Sequence, residues 1–144
     1  MIAVDTNILV YAHRMDSPFH APAARRITEL AEGGRAWAIP WPCVHELLSI
    51  VTNPRIYDPP TAIAVALDYV EGVFQSPNLV LLAETDLHWK TLRPLVAAGR
   101  IAGARAHDAR IAAICIQHRV RELWSADRDF SRFPDLTAVN PLMS

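Results

Sequence analysis

Short apolar runs that stop at polar or proline-marked junctions and then give way to helical spacing leave this chain few folds to choose from. Met1-Ile2-Ala3-Val4 carries no charge, as suits a strand buried on both faces, and Asp5-Thr6-Asn7 turns it into a second apolar stretch. Ala36-Trp37-Ala38-Ile39, Leu79-Val80-Leu81-Leu82 and the segment Val120 to Trp124 read as further buried strands, and Leu136 to Val139 as an edge strand. Between them, helical spacing follows Asp5, runs from Ser17-Pro18 to Gly33-Gly34, restarts at Pro40-Trp41-Pro42, covers Ala62 to Val73, and returns after Thr85-Asp86 and around Asp108. Asn53 to Pro60 is a proline-rich connector, and Gly103 marks a mobile loop. Strand-then-helix repetition predicts an α/β three-layer sandwich: a central, mostly parallel sheet of four to five strands with helices on both faces.

With 144 residues the chain suits one domain, 1–144, and is too short for two comfortable ones. No apolar run approaches bilayer length, so no membrane role is expected. Met1 leads into the first strand with no basic head and no small-residue cleavage site, so no secretory leader is read. Cys43 and Cys115 lie in apolar helical surroundings and read as small hydrophobes in a reducing, cytoplasmic setting without a disulfide. The net charge of −1 excludes the global field of a generic polyanion binder. Thirteen arginines against the single Lys90 permit local phosphate contacts, although such a skew equally reflects genome composition.

The acids stand at the junctions. Asp5 ends the first strand, where ligand crevices of open α/β sheets lie, yet on this stretch alone helix capping is the commoner role. Glu46 has Cys43 and Ile50 at spacings of three and four on a helix whose apolar stripe is Val44, Leu47, Leu48 and Val51, so it is either an inward carboxylate met by donors or a rim residue paired with an arginine. Asp108 sits in the first turn of its helix, where the helix dipole alone would explain it. Asp127 and Asp129 follow the fourth strand and could merely shape a turn. Each bland explanation serves singly; four acids at junctions facing one crevice is harder to explain as capping.

Clustered carboxylates repel unless a hard cation neutralises them, and an oxygen-only set selects Mg²⁺, with Mn²⁺ as a substitute, over zinc. That points to a phosphodiester substrate attacked by water that a carboxylate orients or deprotonates. No Gly-x-Ser-x-Gly elbow, phosphate-binding Walker loop or dinucleotide fingerprint appears. His45 and His107 adjoin two of the acids but point about a quarter turn away, as supporting or structural groups. Trp37, Trp41, Tyr57 and Phe74 either fill the core or include an apolar partner groove.

The ordered set Val4-Asp5-Thr6-Asn7, His45-Glu46, His107-Asp108-Ala109 and Ser125-Ala126-Asp127-Arg128-Asp129-Phe130 resembles the PIN-domain ribonucleases, specifically the VapC-like toxins of toxin-antitoxin modules. The resemblance covers nearly the whole chain. It implies that Asp5, Glu46, Asp108 and Asp127 are catalytic metal-binding acids, with Asp129 auxiliary and Thr6, Asn7 and Ser125 supporting them through hydrogen bonds. It also implies a homodimer, a cognate antitoxin whose tail covers the site, and endonucleolytic cleavage of structured RNA. Arg110 and Arg128, beside the acids, are candidate phosphate contacts against the commoner reading of exposed charge. The segment Gly99 to Ala106 is where substrate choice would vary. The alternative from another class is a catalytically silent PIN-like domain that binds RNA or a partner through the same crevice; a phosphatase of similar fold ranks third.

Overall fold

The computed structural model describes residues 1–143. In chain order its elements are β1 (Ile2–Val4), α1 (Thr6–His13), α2 (His20–Glu32), β2 (Trp37–Pro40), α3 (Trp41–Val51), α4 (Ile63–Phe74), β3 (Leu79–Leu82), α5 (His88–Gly99), α6 (Ala106–Gln117), β4 (Glu122–Trp124) and β5 (Ala138–Val139). Short 3-10 turns occupy Gly103–Arg105 and Arg128–Arg132. The strands form one five-stranded sheet in the order β3-β2-β1-β4-β5, and every neighbouring pair is parallel. Helices cover both faces, which is the three-layer α/β arrangement expected from the alternation.

Parallel strands covered on both faces must be apolar throughout. Ala3, Val4, Ala38, Ile39 and Leu123 are accordingly sealed from solvent, together with Ile111, Ala112 and Ile114 of α6. Trp37 is also core, and its indole Nε1 donates to Ser76 Oγ at 2.9 Å, so the one polar atom of that large ring is satisfied. Pro42 is tolerated at the start of α3 because the first-turn N–H groups have no intrahelical partner to lose.

Two local details place the site. β1 and β4 are adjacent and in register, Ala3 opposite Leu123 and Val4 opposite Trp124, so Asp5 and Ser125 leave the sheet level with one another. The Asp5 N–H still donates to the Trp124 carbonyl at 2.9 Å, extending the ladder by one bond.

Several expected boundaries move. β3 is an edge strand, with Val80 exposed, and only Leu82 of its four residues is buried; an apolar run alone does not distinguish edge from centre. α2 begins at His20 rather than at Ser17-Pro18, because Ser17 Oγ accepts the Phe19 N–H in a local turn. α5 begins at His88, after Thr85 Oγ1 has bound the Leu87 N–H in the same way. β4 and β5 are shorter than read. The four aromatics do not share one setting: Trp37 is core, Tyr57 lies under the Arg14 guanidinium, and Trp41 meets Phe74 edge-on at the surface. Among the described residues no helix is long and apolar enough to cross a membrane.

Leu123 is fully buried at the centre of the sheet. Leu123→Ala should cost about 2–5 kcal/mol, as large-to-small core changes do, read as a lower urea midpoint at unchanged slope; a loss below about 0.5 kcal/mol would show that β4 is not core.

Candidate active site

Asp5 is only 4% exposed and occupies the N-cap position of α1 in an extended conformation, yet its side chain makes no capping bond. Its carboxylate instead turns toward β4. Oδ2 accepts from Ser125 Oγ at 2.7 Å and from Asn7 Nδ2 at 3.3 Å, and the Cys43 thiol lies 3.7 Å from Oδ1. Asn7 closes the same network, donating to Ser125 Oγ at 3.2 Å and accepting from the Ala126 N–H at 3.1 Å. Ser125 Oγ accepts from the Asp127 N–H at 3.0 Å, so the loop that carries Asp127 is tied to the end of β1.

Glu46 is half-buried on α3, and Thr6 Oγ1 donates to its Oε2 at 2.8 Å. A hydroxyl, rather than an arginine, is what meets this carboxylate among its hydrophobic neighbours. Asp108 lies in the first turn of α6. Its carboxylate comes together with those of Asp127 and Asp129, one oxygen from each lying within 4.8 Å of the others. Asp127 Oδ1 also accepts the Asp129 N–H at 2.8 Å, so it shapes the turn and belongs to the cluster at once. Asp5 and Glu46 stand outside this tight triad but close enough for their charges to act on one another and on Asp108.

Electrostatics follow from that crowding. Burial pushes the Asp5 carboxyl up from 3.8 to about 6, against the opposing hydrogen bonds from Ser125 and the Thr6 backbone, with Glu46 and Asp108 adding to the rise. Burial likewise raises Asp108 to about 6, reinforced by Asp127, Glu46 and Asp129 and opposed by Arg105. Burial and the nearby Asp5 charge raise both cysteine thiols, so they stay protonated.

Asp5 and Asp108 are harder to ionise than ordinary carboxyls, Arg105 is the cation paired with the triad, and every donor of the group is oxygen. Those properties fit a divalent cation. Asp108, Asp127 and Asp129 would hold it, with Asp5 and Glu46 at the margin.

Two contributors escaped the sequence reading. Arg105, on the 3-10 turn before α6, places Nη2 3.5 Å from Asp129 Oδ2; its position just ahead of the helix bearing Asp108 was the available signal. Cys43 was read as core, which it is, but its spacing of three from Glu46 also turns it toward Asp5. Arg110 is bonded through Nε to Glu84 Oε1, and Arg128 is exposed on the turn after Asp127. The segment Gly99 to Ala106 contains the turn that carries Arg105, with Gly103 at a φ of 63°.

A model of the PIN domain matches residues 2–136. Over 142 residues the chain is 32% identical to the VapC ribonuclease Mb2897 of Mycobacterium bovis, an alignment covering 99% of this chain and 96% of that protein. Among solved structures, VapBC2 from Rickettsia felis, bound to a DNA fragment from its promoter, superposes with a TM-score of 0.68 at 20% identity, over 96% of this chain and 98% of the other. VapC20 of Mycobacterium tuberculosis, described as a sarcin-ricin loop cleaving toxin, gives 0.66 at 16% identity over 91% and 93%. At such identities the superpositions speak for a common fold.

A carboxyl whose pKa is raised by folding favours the native state below its unfolded value, and that stability is lost as pH rises through the folded value. For Asp5 the window runs from 3.8 to about 6, on the order of 3 kcal/mol at 1.36 kcal/mol per unit. In chelator, Asp5→Asn should therefore raise the thermal midpoint at about pH 8 and flatten its decline between about pH 4 and pH 8. An unchanged or lower midpoint at the alkaline end would show that the buried charge is already compensated.

Proposed function

Because this chain belongs to the PIN-domain family and is closely related to the VapC-family toxins, we propose that it is a Mg²⁺-dependent endoribonuclease acting as the toxin of a toxin-antitoxin pair. The observation that carries this reading is the meeting of Asp108, Asp127 and Asp129 at one rim of the sheet, with Asp5 and Glu46 beside them. Oxygen donors on partly buried carboxylates favour Mg²⁺, with Mn²⁺ as a substitute. When bound, the ion supplies positive charge against the phosphodiester and lowers the pKa of nearby water.

The chain's own residues do the rest. Ser125 and Asn7 fix the Asp5 carboxylate from one side, and Thr6 holds Glu46 from the other. These bonds set the orientation of the acids before substrate arrives, so little reorganisation accompanies the reaction. One of the five carboxylates orients the attacking water and takes its proton. Arg105 and Arg128 flank the cluster and supply positive charge for the incoming phosphate. Relatives described as VapBC complexes and as a toxin that cleaves the sarcin-ricin loop support a cognate antitoxin partner and a structured RNA substrate. A homodimer is part of the same proposal, as the family resemblance of the sequence motifs implies.

Incubating the purified protein with total RNA tests the assignment. Cleavage should require Mg²⁺ or Mn²⁺ and stop in chelator, and Asp5→Asn or Asp108→Asn should slow it at least about 100-fold, the scale of losing one electrostatic partner at a reacting centre. Chelator-resistant cleavage, or full activity in both variants, would overturn it. Absent cleavage together with absent metal binding by calorimetry would favour a silent binding domain.

A further inference from the structure

We propose that the small cavity between α3 and α6, immediately beside Glu46, is a subsite for one unpaired nucleotide of the RNA next to the scissile phosphate. The proposal rests on the nuclease reading above and adds to it where the substrate is read. The cavity measures about 230 Å³ and is lined by Pro42, His45, Glu46, Ser49, His107 and Arg110. The first four recur at spacings of three and four, so they form one face of α3; the last two do the same on α6.

Size and chemistry both suit a single base. The volume falls below the roughly 300–1,000 Å³ of sites for drug-sized ligands. Unpaired bases in RNA are held by stacking on flat side chains, imidazole and guanidinium included, and by hydrogen bonds to their edges. His45, His107 and Arg110 offer those planes, and the Ser49 hydroxyl offers an edge contact. The His45 ring is held edge-on by Trp41, centroids 6.4 Å apart at 75°, and Trp41 in turn stands edge-on to Phe74 at 6.0 Å and 84°. That row limits the freedom of the imidazole before any base arrives.

Position completes the argument. Glu46 lines the cavity while its charge acts on Asp108, and His107 precedes Asp108, so a base seated here leaves its phosphate at the acids. Arg110 presents its guanidinium on the cavity side of the rim, where Glu84 fixes it. Three larger cavities, of about 400, 520 and 390 Å³, lie among α1, α2 and α4, at the opposite rim, and between the end of α1 and the start of α4, and Asp5, Glu46, Asp108, Asp127 and Asp129 line none of them.

The test uses short single-stranded RNA of randomised sequence. In an Asp108→Asn background, adding His45→Ala and His107→Ala together should weaken RNA binding roughly five- to a hundredfold, the range for losing a stacked base. His45→Phe with His107→Phe, which keeps flat rings, should retain binding. With Asp108 intact, sequencing the cleaved ends should show a base preference at one position beside the cut that the alanine pair flattens and the phenylalanine pair keeps. Mn²⁺ binding by calorimetry should be unchanged in both pairs. Parental RNA affinity and base preference in the alanine pair, while the wild type still cleaves, would overturn the subsite alone. Lost Mn²⁺ binding would reassign the histidines to the metal site and also overturn it. A wild type that cleaves nothing would remove the nuclease reading and the subsite with it.

Discussion

The hydroxyl of Ser125 is the joint on which the rest of the site depends. It is 3% exposed, donates its one proton to Asp5 and accepts from Asn7 and from the Asp127 backbone, so its hydrogen-bonding capacity is fully used. Adjacent parallel strands bring Asp5 and Ser125 level, but adjacency of backbones does not aim side chains. The hydroxyl does that, converting the pairing of β1 with β4 into a fixed relation between Asp5 and the loop bearing Asp127 and Asp129. Hydrogen bonds to charged groups contribute about 1.5–3 kcal/mol each, which is the scale needed to keep a buried carboxylate in one orientation.

Repulsion among the acids works against this order. Asp5 and Asp108 are both held protonated well above the ordinary carboxylate range, chiefly by burial and then by their acidic neighbours. Arg105 offsets part of the charge from the loop side, and the start of α6 adds the positive end of a helix dipole near Asp108. The rim is therefore assembled at a cost in the absence of a cation, and the surrounding core supplies the compensation. Ala3, Val4, Ile114 and Leu123 belong to that core without solvent exposure.

The sheet was legible because buried parallel strands must be apolar, and such runs stand out between prolines, glycines and helical spacing. Asp5, Asp108 and Asp127 were legible for a related reason: each stands near the end of a strand or the start of a helix, whereas Glu46, in the middle of α3, was marked only by its apolar neighbours. What local pattern could not show was partnership across the chain. Glu46 is met by Thr6, 40 positions away, and Asp5 by Ser125, 120 positions away. The bond from the Asp129 N–H to Asp127 is local, and Asp129 stands in the triad with Asp127 and Asp108. Ser17 and Thr85 misled in the opposite direction, since a hydroxyl that closes a turn resembles one that starts a helix. The edge exposure of β3 left no mark on its sequence.

β1 has only three residues, and Asp5 is the very next position after the sealed Val4. Along β1 no residue separates the acidic rim from the packed interior. In deeper architectures, residues that secure the scaffold and residues that transform a substrate are different populations and can vary independently. Here Val4, which seals the core, and Asp5, which stands at the acidic rim, are consecutive on one peptide, so variation has little room along the central strands and is channelled outward, into the helix flanks and connecting turns.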